Sequence, residues 1–151
     1  MNFLRCRCSA RWGDIAPTIL RVATGIVFLA HGYQKFFIAP GGISETVSFF
    51  GTTIGIPAAG FFAPFVAGLE LVGGAALIAG LLTHWAAKLL AIDMLVALVL
   101  VHAKAGFFLP YGVECALVLF AASLSLMITG PGKWSLDEKV FMKSDGTTRY
   151  M

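Results

Sequence analysis

Ionisable residues sit inside each of four long apolar segments of this chain, residues 15–37, 61–82, 85–103 and 111–129. Each segment has about the 20 residues that an α-helix needs to cross a bilayer. They hold Arg21 and His31, Glu70, Asp93 and His102, and Glu114 respectively. A charge near the bilayer centre costs roughly 2.5–3.5 kcal/mol on insertion scales, so six such residues require a reason. Composition points the same way. The 151 residues are 58% hydrophobic and 13% charged, against about 25% charged in an ordinary water-soluble domain. The expected solvent is lipid, and the expected fold is all-α: an integral membrane four-helix bundle.

Other classes are disfavoured. Net charge is +3, and its cations fall mainly in tails and loops without a basic face, so no nucleic-acid partner is expected. Cys6 and Cys8 form a C-x-C in the basic N-terminal stretch, and Cys115 lies in the fourth segment. This is neither a disulfide framework nor the paired pattern of a zinc site. The first segment is too long for a signal peptide, contains Arg21 and His31, and lacks a small-x-small cleavage site after it, so it reads as a permanent helix.

Three parts are expected: a basic tail over residues 1–14, a four-span region over 15–132, and a polar tail over 133–151. Pro17 falls in the first turn of the first helix, where its missing N–H costs nothing. The link from Ile38 to Gly60 holds Pro40-Gly41-Gly42 followed by Ser44-Glu45, a helix-start signature. Ile43, Val47, Phe50 and Ile54 recur at helical spacing, so residues 44–53 read as a short amphipathic helix at the interface or folded over the bundle. Thr83 and His84 alone join the second and third spans, as a tight, solvated hairpin. Gly130-Pro131-Gly132 stops the fourth span, and Trp134 anchors a brief interfacial helix. Lys and Arg counts place both termini in the cytoplasm: eight cations fall on that side, against Lys35 and Lys104 on the other.

At about 100° per residue, Arg21, Thr24, Phe28, His31, Gly32 and Lys35 share one face of the first helix. Ala63, Ala67, Glu70 and Gly74 share one of the second, and Glu114 aligns with Ala121 and Ser125 on the fourth. Asp93 and His102 are nine residues apart, about 180° opposed on a straight helix, so only one of them faces a common centre. Depth places His31, His102 and Glu114 near the outer boundary and Glu70 deeper, near the middle, as one outer-side group, and leaves Asp93 as a mate for Arg21 on the inner half. The outer group suits a transition metal or proton exchange with a bound quinone. It equally suits a hydrogen-bond network that only fixes packing. The Glu-x-x-His spacing of a di-iron bundle is absent, so no metal is expected. Arg21 either pairs with Asp93 or snorkels to the interface.

Residues 20–25 (LRVATG) leading to 31–36 (HGYQKF), then 55–57 (GIP), 67–74 (AGLELVGG), 80–83 (GLLT), His102, Glu114 and 130–137 (GPGKWSLD) resemble, in order and spacing, the DoxX family of small four-helix membrane proteins. The resemblance covers about residues 15–138. It implies a multi-pass protein of the bacterial inner membrane, linked to thiosulfate:quinone oxidoreductase and other membrane redox complexes. His31, Glu70, His102 and Glu114 match the family's recurring polar places. The function it implies is an accessory or quinone-facing subunit of a membrane oxidoreductase, with quinone as the cofactor and redox subunits or further copies of itself as partners. A non-catalytic scaffold or a small solute or proton transporter is the alternative. No haem, flavin or iron–sulfur motif is visible, so electron transfer needs a quinone or a partner subunit.

Overall fold

A computed structural model of the chain describes residues 15–103, 106–108 and 112–140. The described residues are almost entirely helical. Helix α1 spans Ile15–Ile38, and its last turn, Gln34–Ile38, is π-helical. Helix α2 spans Ile43–Ser48 and continues as a π-helical turn, Phe49–Ile54. Helix α3 spans Ala59–Ala79. Helix α4 spans Thr83–His102, again with a π-helical last turn, Leu98–His102. Helix α5 spans Glu114–Thr129, and a short α6 spans Leu136–Val140. The expected tail over residues 1–14 lies outside the described residues.

Helices α1, α3 and α4 are long and apolar enough to cross a membrane, at 24, 21 and 20 residues. Their exposed side chains are largely Ile, Leu, Val and Phe, which is the surface that contact with lipid requires. Helix α5 is shorter than expected, at 16 residues, or about 24 Å of rise. It starts late because the loop before it folds back. Val113 N donates to Gly106 O and Glu114 N to Phe107 O, so loop carbonyls satisfy two of the helix's first N–H groups.

Helices α1 and α3 pack most closely, running antiparallel. Small residues permit it. A Cβ on Gly25 would lie 2.8 Å from the Gly74 carbonyl oxygen, and one on Gly32 would lie 2.8 Å from that of Ala67. The pairs Gly25/Gly32 and Ala67/Gly74 recur every seven residues, the small-residue interface expected where lipid offers no hydrophobic drive to association. Helices α4 and α5 form the second close pair. Phe28, Leu77, Leu90 and Leu126 are fully buried and join the two pairs in one core. Of the expected inward faces, Arg21, Thr24, Phe28 and Gly32 on α1 and Ala63, Ala67, Glu70 and Gly74 on α3 are buried, whereas Lys35 is half-buried and His31 exposed.

The end carrying the α3–α4 link differs from expectation. The link is Gly80-Leu81-Leu82, and α4 begins at Thr83, which is fully buried rather than solvated. Gly80 adopts φ +69°, where a side chain is disfavoured. Leu81 N then donates to Ala76 O at 2.9 Å, closing α3 in a Schellman-type turn. Residues 133–140, expected to open a polar tail with a brief interfacial helix, form the short α6 and dock on this end. Asp137 accepts hydrogen bonds from Leu82 N at 2.7 Å and Thr83 N at 2.8 Å, capping α4 from a distant part of the chain. Ser135 is buried beneath it, while Trp134 stays exposed.

Candidate functional site

Two polar clusters occupy opposite ends of the bundle. At the link end, Arg21 is 1% exposed. Its Nη1 donates to Leu77 O at 2.9 Å and Ile78 O at 3.2 Å, and its Nη2 to Trp134 O at 3.4 Å. These carbonyls include some of the last ones of α3, which a helix leaves unpaired and partially negative. Thr18 Oγ1 donates to Lys133 O at 2.8 Å beside it. Arg21 is thus a capping residue that ties α1, α3 and the docked C-terminal segment together. The expected Arg21–Asp93 ion pair does not form. Asp93 lies on the other side of the Phe28–Leu77–Leu90 layer, and no salt bridge of the described residues joins the two.

At the opposite end, α1, α2, α3, α4 and the start of α5 enclose a cavity of about 1130 Å³. His31, Gln34 and Lys35 of α1, Glu70 of α3, and Asp93 and His102 of α4 line it. Glu45 of α2 borders it as well. The rest of the wall is mainly apolar, including Phe49, Phe50, Phe62 and Phe65. A few polar groups converging on an apolar concavity are the usual make-up of a small-molecule site. Lys35 Nζ donates to Glu70 Oε2 in an ion pair whose acid is 4% exposed and whose amine is 26% exposed.

The π-helical turns explain how α4 delivers both its ionisable residues. A π-helix closes i→i+5 and is wider than an α-helix, so each residue advances by less than ~100°. Over Leu98–His102 this lag turns His102 back toward the face of Asp93, and both line the cavity. The wide turns of α1 and α2 also border the cavity, through Gln34, Lys35, Phe49, Phe50 and Ile54. Such turns are rare and concentrate at functional sites.

Of the four residues expected to converge, His31, Glu70 and His102 line the same cavity, while Glu114 is half-buried and outside the lining. The reason is the facing of α5. Its buried residues are Ala116, Ser123 and Leu126, whereas Ala121, expected on the inward face, is exposed. Residue 114 lies on nearly the opposite face at helical spacing. Its acid instead occupies the first turn of α5, where negative charge favours the helix dipole. Cys115 lines the cavity in its place. Sequence reasoning missed Lys35 and Asp93 as cavity residues. The signal for Lys35 was available: it falls one turn beyond His31 on the same face. Among the described residues no three His, Cys, Asp or Glu side chains come together to hold a metal ion.

The wall is not sealed between α3 and α4. Phe62 and Phe65 on one side, and Leu89, Ile92 and Val96 on the other, line the cavity yet remain 43–56% exposed. The molecule is therefore a helical membrane protein with a lipid-accessible, polar-tipped cavity. The family model described as DoxX matches residues 16–103, more than half of the chain, and the chain belongs to the DoxX family. It is 37% identical over 128 residues to a Bacillus subtilis (strain 168) protein named "Putative oxidoreductase CatD", covering 85% of this chain and 89% of that protein. It is 35% identical over 143 residues to "Uncharacterized membrane protein Rv3486" of Mycobacterium tuberculosis (strain ATCC 25618 / H37Rv), covering 85% and 83%. A Haemophilus influenzae (strain ATCC 51907 / DSM 11121 / KW20 / Rd) relative, named only as an uncharacterized protein, is 36% identical over 129 residues, covering 82% and 90%. No solved structure matches the chain.

Proposed function

We propose that this DoxX protein is a quinone-facing or accessory subunit of an oxidoreductase in the bacterial inner membrane, with both termini in the cytoplasm and its cavity toward the outer face. The observation that carries the reading is the cavity itself: apolar, open between α3 and α4, and tipped with two imidazoles and the Lys35–Glu70 pair. A lipid-soluble ring with carbonyl oxygens fits that lining. The aromatic side chains pack its faces, and the imidazole N–H groups of His31 and His102 hold its oxygens. A quinone supplies the redox couple, taking up protons and electrons together as it becomes a quinol. The residues present supply orientation and protons, imidazole being the side-chain type suited to proton exchange in neutral water. Glu114, outside the lining, is not assigned to the ligand. The relative named as an oxidoreductase supports the redox class, and the electron donor belongs to a partner subunit in this reading.

The transporter alternative is less well supported. It requires polar groups continuous through the bundle, and buried Phe28, Leu77 and Leu90 intervene between the cavity and Arg21. The test is isothermal titration calorimetry of the purified protein in mild detergent with a short-tail ubiquinone analogue. Saturable binding is expected, weakened roughly tenfold in His31→Ala and in His102→Ala, as for loss of one hydrogen bond in an apolar site. Absence of saturable binding to the unaltered protein overturns the reading.

A further inference from the structure

We propose that Glu70 and Asp93 share a single proton beside Lys35, forming a proton-holding carboxyl pair in the wall of the lipid-accessible cavity. Glu70 comes from α3 and Asp93 from α4, so the pair bridges two helices. Both are at least nine-tenths buried, at 3% and 9% exposure, and both border the cavity. The charges of the two acids act on each other across the cavity wall. Two carboxylates offer each other no donor, so a hydrogen bond between them requires a proton on one. Asp93 Oδ2 makes the same demand. It is buried, and no donor group of the described structure reaches it. An orphaned buried oxygen is costly, and a carboxyl O–H between the acids removes the cost.

Charge gives the same count. Lys35 reaches Glu70 from α1 and contributes one positive charge against two acids. With one proton bound the cluster is neutral, the form that an apolar surrounding favours. The other titratable groups facing it are His31 from α1, Glu45 from α2, His102 from α4 and Cys115 from α5.

The role of that proton rests on the ligand reading above. A cavity ligand that gains a proton on oxygen takes it from the pair: the carboxyl O–H breaks and the ligand O–H forms. Two carboxylates are then left against Lys35. Reprotonation from the outer side through the cavity histidines restores the neutral cluster.

The experiment is infrared spectroscopy of the full chain in lipid nanodiscs at neutral pH, with no added ligand. A protonated-carboxyl C=O band is expected, shifting in D₂O and lost in both Asp93→Asn and Glu70→Gln. These substitutions are isosteric, and circular dichroism confirms that each variant keeps its helices. In Lys35→Met the band doubles in area, because the second acid must also take a proton. No such band in the unaltered protein overturns the pair, and so does a band that survives both substitutions. The ubiquinone-analogue titration is scored separately. A band without quinone binding keeps the pair and removes the quinone, and quinone binding without a band does the reverse.

Discussion

At the scale of single residues, the charged groups inside the bundle divide by what satisfies them. Arg21 donates to backbone carbonyls, two of them at the end of α3. Glu70 has a cation, and Asp93 lines the same cavity with its Oδ2 unpartnered. Backbone partners make Arg21 structural, since a carbonyl cannot exchange a proton with it. Arg21→Met should therefore lower stability by about 3 kcal/mol, the order expected for removing a buried charge that makes several hydrogen bonds. Thermal unfolding in detergent measures it. Quinone-analogue affinity should stay unchanged in the same variant, because the cavity lies beyond the Phe28 layer. Lysine at this position restores only part of the loss, lacking the planar fork that reaches α3 and Trp134 O together.

At the scale of elements, the small residues of α1 and α3 set which helices pair. Gly74→Val forces a branched side chain into the backbone of α1 at Gly25 and Leu29. Overpacking of this kind costs typically about 1–3 kcal/mol, and here it also drives apart the helices that carry His31 and Glu70. Gly68→Ala is the matched control. Its Cβ meets nothing within 4 Å, and an alanine inside a helix is favoured over glycine by about 1 kcal/mol. The valine variant should unfold at lower denaturant and lose quinone affinity, whereas the alanine variant should match or exceed the parent. Equal behaviour of the two would mean that α1–α3 contact does not govern the bundle. The π-helical turns act at this scale too, since they re-aim His102 without bending α4 away from its partner.

At the scale of the whole molecule, the two ends differ in kind. The link end is closed by Gly80, Arg21, Ser135 and Asp137 into a hydrogen-bonded plug. The other end opens into the cavity. This polarity agrees with the distribution of cations: Lys88, Lys133 and Lys139 belong to the closed end. At the open end Lys35 is engaged by Glu70 rather than offered to lipid headgroups. Labelling with a membrane-impermeant maleimide tests the orientation that follows. With Cys6, Cys8 and Cys115 replaced by serine, Thr52→Cys, on the exposed π-helical turn of α2, should label in intact cells, and Lys139→Cys only after lysis. The reverse pattern would invert the proposed orientation and place the cavity on the cytoplasmic side.

Much of this was legible in the residues themselves. Apolar length and helical spacing identified the spans, the amphipathic helix between the first two, and the inward faces of α1 and α3, because lipid forces backbone satisfaction within each helix. They also marked His31, Glu70 and His102. What they could not supply was anything that depends on helix rotation or on contacts distant in the chain. Glu114 turns away because the core face of α5 is set by its packing against α4. Asp93 borders the cavity with Glu70 instead of meeting Arg21 because a buried layer separates the two polar clusters. His102 reaches the same cavity because a π-helical turn reorients the end of α4. Asp137 caps α4 from 54 residues away. The chain alone determined that apolar helices would gather their ionisable groups inside. The tertiary structure alone decided which of those groups meet, because side-chain encounters between helices depend on rotation and register, and periodicity along one helix carries no information about its neighbour.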